Sequence, residues 1–110
     1  IITNSNSPSL IQSLSCDVDG VWLVEAKITG RRIGGIAGAP GTSVTLKRTF
    51  RIKSISSSVT VHDVQSDYTS RDVPQLNWSV SVSGTNVEIY VLGLNNNNIK
   101  WNIDLVVNSN

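Results

Sequence analysis

The residues able to carry chemistry are few and scattered. His62 is the only histidine and Cys16 the only cysteine among 110 residues. A Ser-His-Asp triad needs a base oriented by an acid and set beside a nucleophile. His62 adjoins Asp63, but neighbours in a strand point to opposite faces, so these two cannot pair in that way. A zinc site draws on several His or Cys ligands, and one of each does not make such a set. Cys16 stands in no nucleophile motif. Two carboxylates that hydrolyse a glycoside must face one cleft. The near neighbours are Asp17 with Asp19 and Asp67 with Asp72, both in turn-like sequence where Asp serves the backbone. The turn role is preferred there to a calcium site. The glycine-rich stretch from Gly30 to Gly41 lacks the G-x-x-x-x-G-K-[ST] pattern and opens no helix, so it is not read as a phosphate loop. The sequence therefore predicts no catalytic residue, no metal ligand and no cofactor, and a protein that is not an enzyme.

Binding is the chemistry left. The polar stretch from Gln65 to Gln75 holds Asp67, Tyr68, Arg71 and Asp72, and the glycine-rich stretch holds Arg31 and Arg32. Both stretches are expected to be loops, and loops carried on a rigid frame are where contacts concentrate. A tyrosine flanked by Asp and Arg is suited to stack on a sugar and hydrogen-bond it; the competing reading is a solvated loop with ordinary charge pairs. Nine basic residues balance eight acidic ones, for a net charge of +1. The nearest approach to a basic cluster is Lys47, Arg48, Arg51 and Lys53. Three of these share a strand face, which reads as a solvated face that discourages edge pairing. Nucleic acid is not an expected partner. The longest apolar run is Val21 to Val24, too short for membrane insertion.

The elements that must position these residues are strands. Runs alternating with period two cover Val21–Gly30, Thr42–Lys53, Leu76–Val82, Val87–Val91 and Ile99–Leu105, with a shorter one at Val59–Val64. Turn residues separate them, and Asn95–Asn98 reads as a turn because Asn tolerates the left-handed conformation. About six strands with frequent turns predict an all-β, antiparallel β-sandwich with jelly-roll-like connections. Trp22, Trp78 and Trp101 fall on apolar faces and are assigned to the core. Arg48 shares a face with Val44, Leu46, Phe50 and Ile52, so it is expected to snorkel to an edge or to meet an acid. Residues 1–17, broken by Pro8, read as an N-terminal linker or arm, and residues 18–110 as the sandwich domain. With no Met, the chain is expected to be a fragment of a longer polypeptide.

Asp19-Gly20-Val21-Trp22-Leu23-Val24-Glu25-Ala26-Lys27-Ile28-Thr29-Gly30-Arg31-Arg32 resembles the first strand of a domain found in phage virion proteins. There, a G-x-aromatic-x-V-x-A-x-[VI]-x-G strand is followed by a glycine-rich loop and a strand such as Leu46-Lys47-Arg48-Thr49-Phe50. A strand-turn-strand then follows, as in Trp78–Val82 to Val87–Gly93, and a last strand carries a tryptophan, as in Ile99–Ile103. The chain is similar over residues 19–107 to C-terminal β-sandwich domains of tail fibres, tail spikes and head fibres. The resemblance implies a non-enzymatic virion domain, often trimeric, that attaches to a host-surface glycan or receptor. It brings no catalytic residues with it. A capsid-decorating or fibre-assembly domain binding only other virion subunits is the first alternative, and a cellular adhesin or carbohydrate-binding module the second. The outward apolar residues Val21, Leu23, Leu92 and Val106 are candidates for cover by a neighbouring subunit of a homo-oligomer.

Overall fold

Alternation of apolar and polar residues translates into strands throughout. The computed structural model describes residues 1–110 and contains eight strands: β1 (Ile2–Thr3), β2 (Pro8–Ser15), β3 (Gly20–Gly35), β4 (Ser43–Ile55), β5 (Ser58–Arg71), β6 (Asn77–Ser83), β7 (Asn86–Leu92) and β8 (Asn97–Ser109). Five form a large sheet in the order β1-β8-β3-β4-β5, and three form a small sheet in the order β2-β7-β6. Every pairing is antiparallel. The protein is an all-β sandwich. β1 lies beside β8 and β2 beside β7, which is the nested pairing of a jelly roll; β3, β4 and β5 then continue as a meander.

The inner face of the large sheet carries Val24, Ala26 and Ile28 of β3, Val44, Leu46, Phe50 and Ile52 of β4, and Ile99 and Trp101 of β8, all buried. The small sheet supplies Val87, Ile89 and Val91 of β7, with Leu76 just ahead of β6. Trp101 is buried, while Trp22 and Trp78 are partly buried and pack on the same cluster. Trp101 needs a gap to lie in. Gly30, its cross-strand partner, provides one, since a Cβ there would come within 2.8 Å of the indole ring. Gly30 is thus a strand residue chosen for packing.

Residues 1–17 are not a free linker. β1 extends the edge of the large sheet, with Ile2 opposite Lys100. β2 borders the small sheet along most of β7, starting with Pro8 opposite Leu92. Pro8 is tolerated because it is the first residue of an edge strand, where its missing N–H goes unmissed. The crossing between sheets is held by the asparagine turn, in which Asn95 and Asn96 turn as expected, Asn96 at a φ of 60°, while Asn97 and Asn98 already belong to β8. Asn96 N–H donates to Asn4 C=O at 3.0 Å, Asn6 N–H donates to Asn95 Oδ1 at 3.0 Å, and Asn4 Nδ2 donates to Asn98 Oδ1. The indole Nε1 of Trp101 donates to Thr3 Oγ1 at 2.9 Å.

The two stretches read as loops are strand in part: residues 36–42 and 72–76 do connect strands, but the residues before them do not. β3 runs on through Arg31 and Arg32 to Gly35, and β5 runs through Asp67 and Tyr68 to Arg71. Ladder hydrogen bonds from the neighbouring strands outweigh local turn propensity there. β5 accommodates its polar sequence through two register shifts against β4. At one of them Asp63 takes a φ of 52°; at the other, Asp67 is the extra residue between the pairs Lys47–Tyr68 and Arg48–Ser66.

Candidate functional site

Cross-strand partners in an antiparallel sheet share a face, so the register assigns each side chain to the core or to the outer surface. On the outer face of the large sheet one row runs Asp104 (β8), Lys27 (β3), Lys47 (β4) and Tyr68 (β5). The next row runs Asn102, Thr29, Thr45 and Ser70, and the one beyond it begins Lys100, Arg31 and Ser43. Tyr68 is 57% exposed. It borders a shallow depression of about 250 Å³ shared with Lys27, Thr29, Thr45 and Lys47. A second depression, of about 320 Å³, is lined by Thr29, Arg31, Lys100 and Asn102. Thr29 lines both, so the two are neighbours along β3.

The β5 bulge positions the tyrosine. A bulge sets two residues against one and re-aims side chains. Here Asp67 and Tyr68 both serve the outer face: Tyr68 beside Lys47, and Asp67 accepting a hydrogen bond from Thr49 Oγ1. The bulged backbone is held from below by Arg48. Its guanidinium donates through Nη1 to Tyr68 C=O at 2.7 Å and Lys47 C=O at 2.9 Å, and through Nη2 to Thr69 Oγ1 at 2.9 Å. It also lies 5.6 Å from the centre of the Trp78 ring, which stacks on Phe50 at 6.2 Å. Arg48 neither snorkels nor pairs with an acid. It stays 5% exposed and spends its donors on two carbonyls and a hydroxyl of the β4–β5 ribbon. Burial lowers its pKa, the nearby Arg71 lowers it further, and Asp67 partly offsets both.

The six residues singled out for binding separate into two groups. Tyr68 and Arg31 lie on the open outer face. The other four are engaged within the fold. Arg32 points the opposite way from Arg31 and donates to Asn97 Oδ1 at 3.1 Å and to the carbonyls of Gly35 and Ala37. It pins the glycine-rich turn onto the buried Asn97. Arg71 Nη1 donates to Leu76 C=O at 3.2 Å. Asp72 Oδ2 accepts from Ser43 N–H at 2.9 Å, closing the end of the β4–β5 ribbon. Asp67 is held by Thr49, as above.

No family model, curated protein or solved structure matches the chain. The site therefore stands on its own geometry. No group of three or more His, Cys, Asp or Glu side chains comes together. His62 sits on the outer face beside Arg51 with Nε2 2.8 Å from Thr60 Oγ1. Cys16 is 1% exposed, and its Sγ lies 3.8 Å from Leu14 C=O. Burial pushes its thiol pKa up, and Asp17 adds to the effect, so the thiolate needed of a nucleophile is disfavoured.

Lys27, Thr29, Thr45, Lys47 and Lys100 complete the face, and none was singled out for binding from the sequence. Alternation does place Lys27 and Thr29 on the polar side of their strand. What it lacks is the neighbour relation: Lys27 and Lys47 are 20 positions apart, and only the β3–β4 register sets them opposite each other.

Proposed function

We propose that this domain is a non-enzymatic attachment module of a virion fibre, binding a host-surface glycan through the outer face of its large sheet. The observation that carries the reading is the exposed Tyr68 ring, set at the rim of a depression lined by Lys27, Lys47, Thr29 and Thr45. An aromatic ring at the rim of an almost wholly apolar depression is suited to pack on the apolar face of a sugar ring. The surface is open and shallow, which fits modest affinity per site raised by multivalency. The resemblance of residues 19–107 to fibre and spike domains supplies the virion context, and the module would act outside the cell as part of the particle.

A homo-oligomer, a trimer in such fibres, belongs to the same proposal. Val21, Leu23 and Val106 are exposed on the outer face towards the end of the sheet away from Arg31, and cover by a second copy would bury them. The same patch favours the second reading, a domain that contacts only other virion subunits. Binding to an array of bacterial surface glycans separates the two. Attachment predicts glycan binding that Tyr68→Ala weakens at least tenfold with no change in folding. Binding that survives Tyr68→Ala unchanged would place the site elsewhere, and an array with no binders would favour the subunit-contact reading.

A further inference from the structure

Two like-charged pairs face each other across the large sheet. Lys27 of β3 lies directly opposite Lys47 of β4, and Arg31 of β3 lies directly opposite Lys100 of β8. Residues so placed have Cβ atoms about 4.5–5.5 Å apart, and like charges there destabilise the sheet. Each pair borders one of the two adjacent depressions: the first, lined also by Thr29, Thr45 and Tyr68, presents an almost wholly apolar surface, and the second, with Thr29 and Asn102, a mixed polar and apolar one. Neither depression is lined by a carboxylate. The nearest acids lie outside both: Asp104 opposite Lys27 on its β8 side, Glu25 one row further along β3, and Asp67 at the bulge beside Tyr68, where it accepts from Thr49.

We infer that this face binds an acidic glycan, with one anionic group seated between Lys27 and Lys47 and another between Arg31 and Lys100. The inference rests on the attachment reading and specifies its ligand class. An anion in each depression relieves the repulsion that the bare sheet carries, so binding energy is gained where folding energy is lost. The pairs are four residues apart along β3, roughly 13 Å at the usual rise of a strand. That is further than one sugar ring reaches, so the ligand is a chain with acidic groups on separated sugars. Its neutral stretch crosses Thr29, and one ring packs against Tyr68. A phosphodiester chain is less well matched: Asp104 and Glu25 flank the track, one tyrosine is the only exposed ring beside it, and a net charge of +1 provides little long-range attraction for a polyanion of uniform charge.

Calorimetry with four probes tests this: a galacturonic acid hexamer, the same hexamer with its carboxyls methyl-esterified, a sulfated glycosaminoglycan hexamer and a twenty-nucleotide single-stranded DNA. At least one acidic hexamer is expected to bind, with the ester at least tenfold weaker and affinity falling as salt rises. The double variants Lys27→Gln/Lys47→Gln and Arg31→Gln/Lys100→Gln are each expected to weaken binding at least tenfold while Tm holds or rises, because a repulsion has been removed. Equal binding of the ester would overturn the acidic ligand and leave glycan attachment standing. Tighter binding of the DNA would overturn it in favour of nucleic acid. If neither acidic hexamer binds, the inference fails, and neutral-glycan binding on the array then decides whether the attachment reading fails with it.

Discussion

At the scale of single residues, the most consequential side chain is Arg48. Placing a guanidinium in a β-sandwich core is costly unless its donors are met. Here they are met by Lys47 C=O, Tyr68 C=O and Thr69 Oγ1. The same bonds hold the β5 bulge that presents Tyr68, so one residue couples the core to the proposed site. Arg48→Met keeps much of the apolar stem and removes the donors. Hydrogen bonds to charged groups contribute about 1.5–3 kcal/mol, so urea unfolding is expected to show a loss of about 2–3 kcal/mol. Glycan binding is expected to fall as well under conditions where the variant remains folded. Retained stability with unchanged binding would show that the bulge holds itself. Arg48 also marks a limit of reading residues in sequence. Its period-two position placed it inward, yet two of its three acceptors, Tyr68 C=O and Thr69 Oγ1, come from a strand about 20 residues later, at a bulge that alternation does not register.

At the scale of elements, turns and bulges decide the geometry more than the strands do. β6 and β7 are joined through Gly84 and Thr85, with Gly84 at a φ of 62°. Glycine is the residue that takes such a conformation without strain. The β4–β5 hairpin makes a less favourable choice. Ile55 pairs with Ser58, and the two residues between them, Ser56 and Ser57, have φ values of 50° and 64°. Positive φ at both positions is the type I′ arrangement that favours Asn-Gly. Asp19 partly compensates by accepting Ser56 N–H at 2.8 Å. A non-glycine residue in the left-handed region costs roughly 1–2 kcal/mol, while glycine loses an extra ~0.5–1 kcal/mol of chain entropy on folding. Ser57→Gly is therefore expected to stabilise the protein by about 0.5–1 kcal/mol in thermal unfolding. A destabilised variant would mean that the serine conformation carries no strain. The strands flanking this hairpin were legible because they alternate; the tightness of the turn was not, because two serines carry no turn signature of their own.

At the scale of the whole molecule, the sandwich is closed by its beginning and its end. β1 pairs with β8, Trp101 N–H donates to Ile1 C=O at 2.8 Å, and the buried indole reaches Thr3. Gly93 sits so close to Thr3 Oγ1 that a Cβ would come within 2.4 Å. Residues 1–7 are thus part of the core's enclosure. Deleting them leaves the Trp101 donor unpaired, strips one edge of the large sheet and frees the asparagine turn. A loss of about 3 kcal/mol is expected, seen as a fall in Tm of roughly 10–20 °C with a red shift of tryptophan emission. A deletion variant with unchanged Tm and emission would show the segment to be a passive arm.

The sequence by itself determined the class of structure. Period-two alternation, three tryptophans on apolar faces and the scarcity of His and Cys were enough for an antiparallel sandwich and for a reading based on binding. These are local properties, visible within a strand's length. The tertiary structure decided which strands are neighbours and in what register. That choice turned the first parts of two presumed loops into sheet, drew the N-terminal residues into both layers, and turned Arg31 outward and Arg32 inward. It also set Lys27 against Lys47 and Arg31 against Lys100. The physical reason is that ladder bonds and burial are satisfied between segments distant in the chain, so the charge on one face of a sheet is a property of its register.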